Sequence, residues 1–327
     1  MVLLSGDERS AIERAADTLA AGELVAFPTE TVYGLGARAD SDAAVAGIFA
    51  LKGRPSDHPL IVHVADPSDA PAFASRWPDV ARRLTDSLWP GPLTVIVPRA
   101  AGVATAAAGG HDTIGLRCPS HPVARSLLAA ARVRGVPGVA APSANRFGRI
   151  SPTRASHVVE EFGDGLLVID GGDCQVGIES AIVDCSGAHP VLLRPGQLGR
   201  ARLEAVAGVA MGEPDAQSPR ASGTLEAHYA PRARLRLMPP ALLNTALQML
   251  GDSALKLAVY SCSVRLPPGS LLRWRAMPGD PDRAAHELFA TLRELDAEGP
   301  DLIWVEEPPP LPAWDGVRDR LHRAAAA

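Results

Sequence analysis

Residues 24–36 read Leu-Val-Ala-Phe-Pro-Thr-Glu-Thr-Val-Tyr-Gly-Leu-Gly. The opening apolar run predicts a buried strand at Leu24–Phe27, because a short continuous apolar stretch suits a strand covered on both faces. The following Gly34 and Gly36 superficially fit the G-x-G-x-x-A fingerprint of dinucleotide-binding folds, with Asp57 about the right distance onward. That fingerprint needs its first glycine directly at the end of the strand, and here residues 28–33 intervene. We therefore reject the dinucleotide-binding interpretation.

Further apolar runs alternate with segments of helical periodicity along the first two-thirds of the chain. We predict additional strands at Leu60–Val64, Leu93–Val97, Ile114–Arg117, Val139–Ala141, Leu166–Ile169, Ala181–Val183 and Val191–Leu193. Helices are expected around 12–19 before Gly22, from a cap at Asp40 or Ser41 to about Leu51, and at Pro78–Leu88, Val123–Ala131 and Thr153–Glu161. Many strands with only some helical crossovers predict an α/β fold built on a twisted, open, mixed sheet.

The chain of 327 residues exceeds the usual size of one domain, so we expect two. We place a first domain at 1–206, a linker at 207–231 where Gly, Pro and Ser interrupt the periodicity, and a smaller domain at 232–327. In the smaller domain, strands at Leu235–Leu237, Leu257–Ser261 and Leu302–Val305 alternate with helices at Ala241–Leu250 and Asp282–Leu295, which predicts a second open α/β sheet. Residues 308–312 are expected to form a loop, and the alanine-rich tail is expected to fray.

Composition narrows the possible functions. The mean hydropathy is +0.05, no apolar run approaches the roughly 18 to 20 residues of a membrane helix, and acids follow the first apolar residues, so we expect a cytoplasmic protein without membrane contact. The formal net charge is −5 and no long cationic run exists, which argues against a broad nucleic-acid surface. Cys118, Cys174, Cys185 and Cys262 form no ligand-like cluster, so buried free thiols and no structural metal are expected.

Lysine is scarce in this chain. Lys52 and Lys256 are the only two lysines among 32 cationic residues, and the rest are arginine. A lysine kept among arginines raises the question whether its site needs a compact ammonium group rather than a planar guanidinium.

Two pairs of polar residues come directly after regular elements. Lys52 and Arg54 lie at the end of a helix, where solvated cations are common, and Ser143 and Asn145 lie after a strand, where turn residues are common. Either pair alone would favour an ordinary structural interpretation.

The surrounding sequence changes that interpretation. It contains, in order, Phe27-Pro-Thr-Glu-Thr-Val-Tyr-Gly-Leu-Gly36, Leu51-Lys-Gly-Arg-Pro-Ser-Asp-His-Pro-Leu-Ile-Val-His63, Trp89-Pro-Gly-Pro-Leu-Thr94, Thr113-Ile-Gly-Leu-Arg117, Ala141-Pro-Ser-Ala-Asn145, Asp170-Gly-Gly172 and Gly177-Ile-Glu-Ser180. Over nearly all of 1–200 this series resembles the YrdC-type family of threonylcarbamoyl-adenylate synthases. The segment 221–231, Ala-Ser-Gly-Thr-Leu-Glu-Ala-His-Tyr-Ala-Pro, and the smaller domain after it resemble the two-domain branch of that family.

The resemblance implies a large concave pocket in the sheet and a set of site residues. It implies a catalytic set around ATP: Lys52, Arg54, Ser143 and Asn145. It implies threonine contacts at Thr31, His63, Arg117, Ala141 (through its main chain) and Ser180. It implies further nucleotide contacts at His58, Thr113, Ser151, Arg194 and Tyr229. Many family members carry Asn at the position of His58 and Thr at the position of Ala181, so the contact from His58 is in question.

The implied chemistry suits these residue types. Without a Walker A loop, ATP needs side-chain cations such as Lys52, Arg54 and Arg194, and we expect Lys52 and Arg54 near the surface of a polar cavity. Arg117 could hold the threonine carboxylate with two parallel bonds. The amine of L-threonine would capture carbon dioxide from bicarbonate, and the carbamate would displace pyrophosphate from ATP, with Mg²⁺ arriving on the nucleotide. tRNA would be reached indirectly, through a downstream threonylcarbamoyl transferase.

Two other functions remain open at this point. A double-stranded-RNA-binding factor could use the same concave face without catalysis, although the net charge argues against it. A carbamoyl transferase of the hydrogenase-maturation type shares the first domain, but it carries further modules that neither the cysteines nor the length here fit. Within the linker 207–231, we expect the stretch Ala221–Pro231 to fold over the ATP pocket as a lid, with Tyr229 touching the nucleotide and the second domain as its anchor, because Gly223 permits close approach and His228 and Tyr229 could reach a ligand.

Overall fold

The computed structural model describes residues 2–163, 165–250, 256–266 and 272–327. In this described part, the first sheet consists of ten strands: β1 (Val2–Ser5), β2 (Val25–Phe27), β3 (Gly34–Arg38), β4 (Ile61–His63), β5 (Leu93–Pro98), β6 (Thr113–Arg117), β7 (Val139–Ala140), β8 (Leu167–Asp170), β9 (Ala181–Asp184) and β10 (Val191–Arg194). The α-helices that accompany them are α1 (Arg9–Ala20), α2 (Asp42–Lys52), α3 (Asp79–Leu88), α4 (Pro122–Val133), α5 (Ala155–Phe162) and α6 (Arg200–Ala207).

The first sheet is mixed, as predicted. Its strand order is β1-β8-β2-β3-β7-β4-β6-β5-β9-β10. Parallel pairs such as β4 with β6 occur beside antiparallel pairs such as β2 with β3. Helices α1 and α4 pack together over one cluster of buried apolar residues, and α2 and α3 contribute to another. No helix among the described residues is both long and apolar enough to cross a membrane.

Strand β3 was not predicted, because glycine usually weakens a strand. A Cβ atom at Gly36 would lie 2.8 Å from side-chain carbons of both Phe27 and Val139, so the strands can approach only with glycine there. Gly34 and Gly36 thus lie inside a strand paired with β2 rather than in a strand-to-helix turn. Their position agrees with rejecting the dinucleotide fingerprint.

The second sheet has four parallel strands in the described residues, in the order β11 (Arg234–Met238), β14 (Leu302–Glu306), β12 (Leu257–Ser261) and β13 (Arg273–Ala276). Alternate residues of β12 face opposite sides. On one side Leu257 and Val259 pack with α7 (Pro240–Leu250), and on the other Ala258 and Tyr260 pack with α8 (Pro281–Ala297) and α9 (Asp315–Ala325). The predicted smaller α/β sheet is confirmed.

The two sheets share one apolar cluster. Val32, Ile150, Val176 and Ile178 from the first part of the chain pack in the same cluster as α8 and α9. The backbones are also close: a Cβ atom at Gly177 would lie 2.4 Å from the carbonyl oxygen of His286. The second part of the chain is therefore packed firmly against the first.

Several expectations need correction. The C-terminal tail does not fray: α9 continues to Ala325, and Ala324 is buried because it joins the shared cluster. Strands β1 and β13 and helix α6 were missed; each is short, and β13 carries alternating arginines with little apolar signal.

Residues 208–233 contain neither helix nor strand, in keeping with the expected break in periodicity. Cys118, Cys174 and Cys185 are buried free thiols, whereas Cys262 is partly exposed.

Candidate functional site

A concave cavity opens at the first sheet and is covered on one side by residues 222–229. Counting the space open to solvent, it measures about 560 Å³. Nine predicted site residues line it: Lys52, Arg54, His63, Arg117, Ala141, Ser143, Asn145, Arg194 and Tyr229. Four of these are cationic, so the cavity is suited to an anionic ligand.

Lys52 is the last residue of α2, and only 3% of its surface is exposed. Gly53 adopts a left-handed conformation (φ 65°) that ends the helix. The Lys52 ammonium donates to the carbonyl oxygens of Ser143, at 2.6 Å, and Asn145. Burial, assisted by the charge of Arg54, lowers the pKa of Lys52 well below its usual value. Lys52 and Arg54 both lie in the wall of the polar cavity, and both are buried, with 3% and 7% of their surfaces exposed.

Arg54 lies under an aromatic side chain. Its guanidinium carbon is 5.7 Å from the ring centroid of Phe147, and its Nη2 donates to the carbonyl of Pro59 at 3.1 Å. Burial lowers the pKa of Arg54 to about 10, with Tyr229 opposing and Arg194 assisting. The group still carries its charge at neutral pH.

Four buried polar atoms in the cavity wall make no hydrogen bond within the described part of the chain: Arg54 Nε, Arg117 Nε, Asn145 Oδ1 and His228 Nδ1. Buried polar groups in folded proteins nearly always have a partner. Their concentration around one cavity indicates that a polar ligand supplies these partners.

His63 and Arg117 lie side by side because they are paired residues at the ends of the parallel strands β4 and β6. Arg117 Nη2 donates to Thr31 Oγ1 at 2.8 Å and forms an ion pair with Glu30 at the same distance. Burial, assisted by the charge of Arg117, lowers the pKa of His63 to about 3, so its ring is neutral. Arg117 Nε remains for a ligand.

Arg194 connects the sheet to the segment that covers the cavity, residues 221–231. Its Nε and Nη2 donate to the carbonyl (3.0 Å) and hydroxyl (3.2 Å) of Ser180, and its Nη1 donates to the carbonyl of Ser222 at 2.6 Å. Ser180 Oγ also lies 2.8 Å from Thr94 Oγ1. Burial lowers the pKa of Arg194, although Tyr229 opposes that effect.

The covering segment, residues 221–231, also has contacts within itself. The Tyr229 hydroxyl donates to the carbonyl of Gly223 at 3.3 Å, and Tyr229 adopts a positive φ of 62°. The His228 ring is 4.1 Å from that of Tyr229. Burial lowers the pKa of His228 to about 3, with Glu179 opposing and Arg54 assisting, so this ring too is neutral.

Five predicted residues do not line the cavity directly. Thr31 and Ser180 touch its wall through Arg117 and Arg194, and Ser151 donates to Glu179, which lines it. The His58 ring packs 5.5 Å from Phe147. Thr113 lines a neighbouring pocket beside Arg220 and Ser222.

The residue-level prediction missed part of the wall. Phe147, Glu179, Ser222, Gly223 and His228 line the cavity but were not among the predicted site residues. Glu179 stands inside the quoted Gly177–Ser180 motif, and Phe147 comes two residues after Asn145, so each had a positional signal. His228 was considered only as part of a lid.

The family model described as "Telomere recombination" matches residues 17–196, and the model described as "Threonylcarbamoyl-AMP synthase, C-terminal domain" matches residues 198–326. A Bacillus subtilis protein named threonylcarbamoyl-AMP synthase is 36% identical, covering 96% of this chain and 92% of its own. The Pyrococcus abyssi protein of that name is 35% identical, covering 96% and 94%.

The chain belongs to the threonylcarbamoyl-AMP synthase family. The crystal structure of P. abyssi Sua5 complexed with L-threonine superposes with a TM-score of 0.91 at 33% identity, covering 99% of this chain and 98% of that one. The predicted family, its two-domain arrangement and the enzymatic class, an ATP-using adenylyltransferase, are confirmed. Nothing in the comparisons favours the RNA-binding alternative.

Proposed function

We propose that this cavity condenses L-threonine, bicarbonate and ATP into threonylcarbamoyl-AMP and pyrophosphate. The observation that carries the proposal is the set of four buried cations, Lys52, Arg54, Arg117 and Arg194, around a wall with unpartnered polar atoms. Among the described lining residues Glu179 is the only carboxylate. Arg117 is paired with Glu30, but the other three cations form no ion pair within the described residues, and this excess of buried positive charge favours an anionic ligand.

We assign the threonine side to the wall formed by β4 and β6. Arg117 Nε would bind the carboxylate, neutral His63 and the main chain at Ala141 would contact the polar groups, and Thr31 and Ser180 would fix Arg117 and Arg194. The P. abyssi relative whose crystal structure is complexed with L-threonine supports L-threonine as a ligand of this fold. Because Arg117 Nη2 already contacts Glu30 and Thr31, only part of the guanidinium is available to bind the threonine carboxylate.

We assign the nucleotide side to the turn 143–145 and the residues opposite it. Lys52 holds this turn with two N–H donors, and in its charged form a third remains for a phosphate oxygen, whose negative charge would oppose the burial that lowers the pKa of Lys52. Arg54 Nε and the Ser143 hydroxyl would complete the phosphate contacts, and Asn145 Oδ1 would accept from a donor of the ligand. His58, Thr113, Ser151 and Tyr229 surround this side, with Ser151 acting through Glu179.

The reaction requires no covalent enzyme intermediate. Bicarbonate releases hydroxide to give carbon dioxide, and the neutral amine of threonine forms a bond to its carbon. The nitrogen loses a proton, which combines with the hydroxide to form water, and a carbamate results. A carbamate oxygen then attacks the α-phosphorus, and the bond from the α-phosphorus to the bridging oxygen breaks to release pyrophosphate. Catalysis comes from alignment of the reactants and from neutralisation of developing phosphate charge by Lys52 and Arg54.

Magnesium would enter as part of the MgATP substrate. No group of three or more His, Cys, Asp or Glu side chains in the described residues could hold a metal ion, and both oxygens of Glu179 are engaged. The phosphates of ATP therefore supply the ligands that the ion needs.

The product is a labile acyl-adenylate, so we propose that a downstream transferase carries the threonylcarbamoyl group to tRNA.

The test is mass spectrometry of products after incubation with L-threonine, bicarbonate and MgATP, beside a pyrophosphate assay. We expect a threonylcarbamoyl-adenylate mass and pyrophosphate release that depends on both threonine and bicarbonate. Turnover without an amino acid would contradict the proposal. Salt-sensitive binding of double-stranded RNA that Lys52→Ala weakens, together with no pyrophosphate release by the wild type, would favour the RNA-binding alternative instead.

A further inference from the structure

We propose that Arg320, on α9 in the second part of the chain, is a positioning residue for the nucleotide side of the cavity and acts through Glu179. The proposal rests on the function proposed above and adds two residues that the motif-based site lacks. Arg320 does not line the cavity. Its effect would be to hold the wall in the form that binds ATP.

The Arg320 side chain is completely buried against the first part of the chain. Its Nε donates to Glu179 Oε2 at 2.9 Å, its Nη2 to the carbonyl of Glu179 at 3.1 Å, and its Nη1 to the carbonyl of Pro195 at 2.7 Å. Glu179 directly precedes Ser180, and Pro195 comes directly after Arg194. One guanidinium therefore fixes the backbone beside two residues of the predicted site.

Glu179 passes this constraint into the cavity. Its second oxygen, Oε1, accepts from the hydroxyl of Ser151, a predicted nucleotide contact. With one oxygen held by Arg320 and the other by Ser151, Glu179 is poorly placed to act as a general base. Burial raises the pKa of Glu179, but the charges of Arg320 and Arg194 and the Ser151 hydrogen bond outweigh burial and lower the pKa, so the pair stays ionised. The role of Glu179 is to orient Ser151.

The same guanidinium supports the covering segment. Its central carbon lies 5.6 Å from the ring centroid of Tyr229, within the range of a cation–π contact. Tyr229 is also packed against Phe289 of α8, with ring centroids 5.4 Å apart. Arg320 thus touches three separate parts of the wall: the Glu179 segment, the Arg194 segment and Tyr229.

The threonine side has separate support. Arg117 is held by Glu30 and Thr31, through contacts that do not involve Arg320. Ser180 keeps its bonds to Thr94 and Arg194. A positioning role for Arg320 therefore predicts a selective loss of nucleotide affinity. A purely structural ion pair predicts instead that the affinities for both ligands fall alike or that neither changes.

The experiment measures, by titration calorimetry on the full-length chain, the affinities for a non-hydrolysable ATP analogue and for L-threonine. Arg320→Lys keeps the charge but loses the planar fork that contacts Glu179 and Pro195 together. We expect its Kd for the analogue to rise at least tenfold and its Kd for threonine to change less than threefold. Arg318→Ala, on the same helix and ion-paired with Asp315, is the matched control and should change neither value.

A second variant separates the loss of Ser151 positioning from a loss of fold stability. In the double variant Glu179→Gln with Arg320→Met, neither Glu179 nor Arg320 leaves the other charged and unpaired, and Asp319 keeps its ion pair with Arg323, so thermal stability should recover in part relative to Arg320→Met alone. Nucleotide affinity should stay low because Ser151 is no longer oriented by the ionised pair. Wild-type nucleotide affinity in Arg320→Lys or in the double variant, or an equal loss for both ligands, would overturn the proposal. Because binding is the readout, absence of pyrophosphate release in the wild type would contradict the proposed function alone.

Discussion

At the residue scale, the contacts of Lys52 explain why a lysine, and not an arginine, stands at this position in the cavity wall. Its ammonium fits between the carbonyl oxygens of Ser143 and Asn145, where a larger planar guanidinium would displace the turn. We expect Lys52→Arg to lower kcat/KM about tenfold or more, since a lost charge-assisted contact costs roughly 1.5 to 3 kcal/mol. Lys256→Arg, at an exposed position, is the control. Wild-type kinetics for Lys52→Arg would make the scarcity of lysine a coincidence.

The amino-acid side chain gives a second residue-scale prediction. Val32 and Ile61 stand in the cavity wall among the polar residues, so a methyl group can be buried there. Serine lacks that methyl, and one methyl in an apolar pocket is worth roughly 1 to 3 kcal/mol, or about 10- to 200-fold in kcat/KM. Pyrophosphate release measured with each amino acid checks this. Equal efficiency for serine would mean that the methyl of threonine is not recognised.

The buried histidines predict how stability depends on pH. Burial, with smaller contributions from neighbouring cations, lowers the pKa values of His63 and His228 to about 3, from 6.5 when exposed. The unfolded chain therefore binds more protons below pH 6.5, and stability should fall as pH drops from 6.5 towards 3. On going from about pH 7.5 to 5.5, each ring should lower the free energy of unfolding by about 1 kcal/mol.

Thermal unfolding midpoints at the two pH values test this expectation. His228→Gln should lose less stability on acidification than the wild type, because glutamine does not titrate. The exposed His189→Gln is the control and should behave like the wild type. An equal acid-induced decrease in His228→Gln and wild type would show that this ring does not contribute.

At the element scale, the sequence predicted what periodicity and apolar runs encode. The buried strands and the cap of α2 were found, and Ser41 does accept from the amide of Ala44. Strand β3 was missed because Gly36 is required by cross-sheet contacts with Phe27 and Val139, which only the folded chain reveals. The cavity cations were recognised from their motifs, but their burial was not, since depth depends on residues 222–229 folding over them.

The covering segment gives the element-scale prediction. Gly223 has φ +72°, and a Cβ atom there would lie 2.2 Å from the Tyr229 hydroxyl and 2.7 Å from Arg194 Nη1. Gly223→Ala should therefore displace residues 221–231 from the cavity, weaken binding of the ATP analogue and raise wasteful hydrolysis of the acyl-adenylate. Gly208→Ala is matched: Gly208 also has positive φ (69°), but its nearest neighbour is 3.9 Å away.

Trypsin cleavage after Arg220 reports on the same segment. Arg220 is exposed and forms an ion pair with Asp57 at 2.7 Å. Threonine with the ATP analogue should slow cleavage in the wild type and in Gly208→Ala, but much less in Gly223→Ala. If cleavage of the wild type is equally fast with and without ligands, and Gly223→Ala keeps wild-type kinetics, residues 207–231 are a tether and not a lid.

At the scale of the whole molecule, the two sheets are joined by more than a linker. Val32 is both a cavity residue and a member of the apolar cluster that α8 and α9 complete. Arg293 of α8 is ion-paired with Glu161 of α5 at 3.2 Å, and both side chains are largely buried. The second part of the chain therefore supports the cavity wall from behind, while residues 221–231 cover it from the front.

This arrangement predicts the result of truncation. A chain ending at residue 206 loses the covering segment, Arg320 and most of the shared cluster, which exposes Val32, Ile150, Val176 and Ile178. We expect it to keep the first sheet, whose two large apolar clusters lie almost wholly before the cut, but to bind a hydrophobic dye. Its affinity for the ATP analogue should fall at least tenfold, while threonine binding, supported by Glu30 and Thr31, should survive within a few-fold. Full nucleotide affinity in the truncated chain would mean that the first sheet alone forms the ATP site, and the second part would then need another explanation.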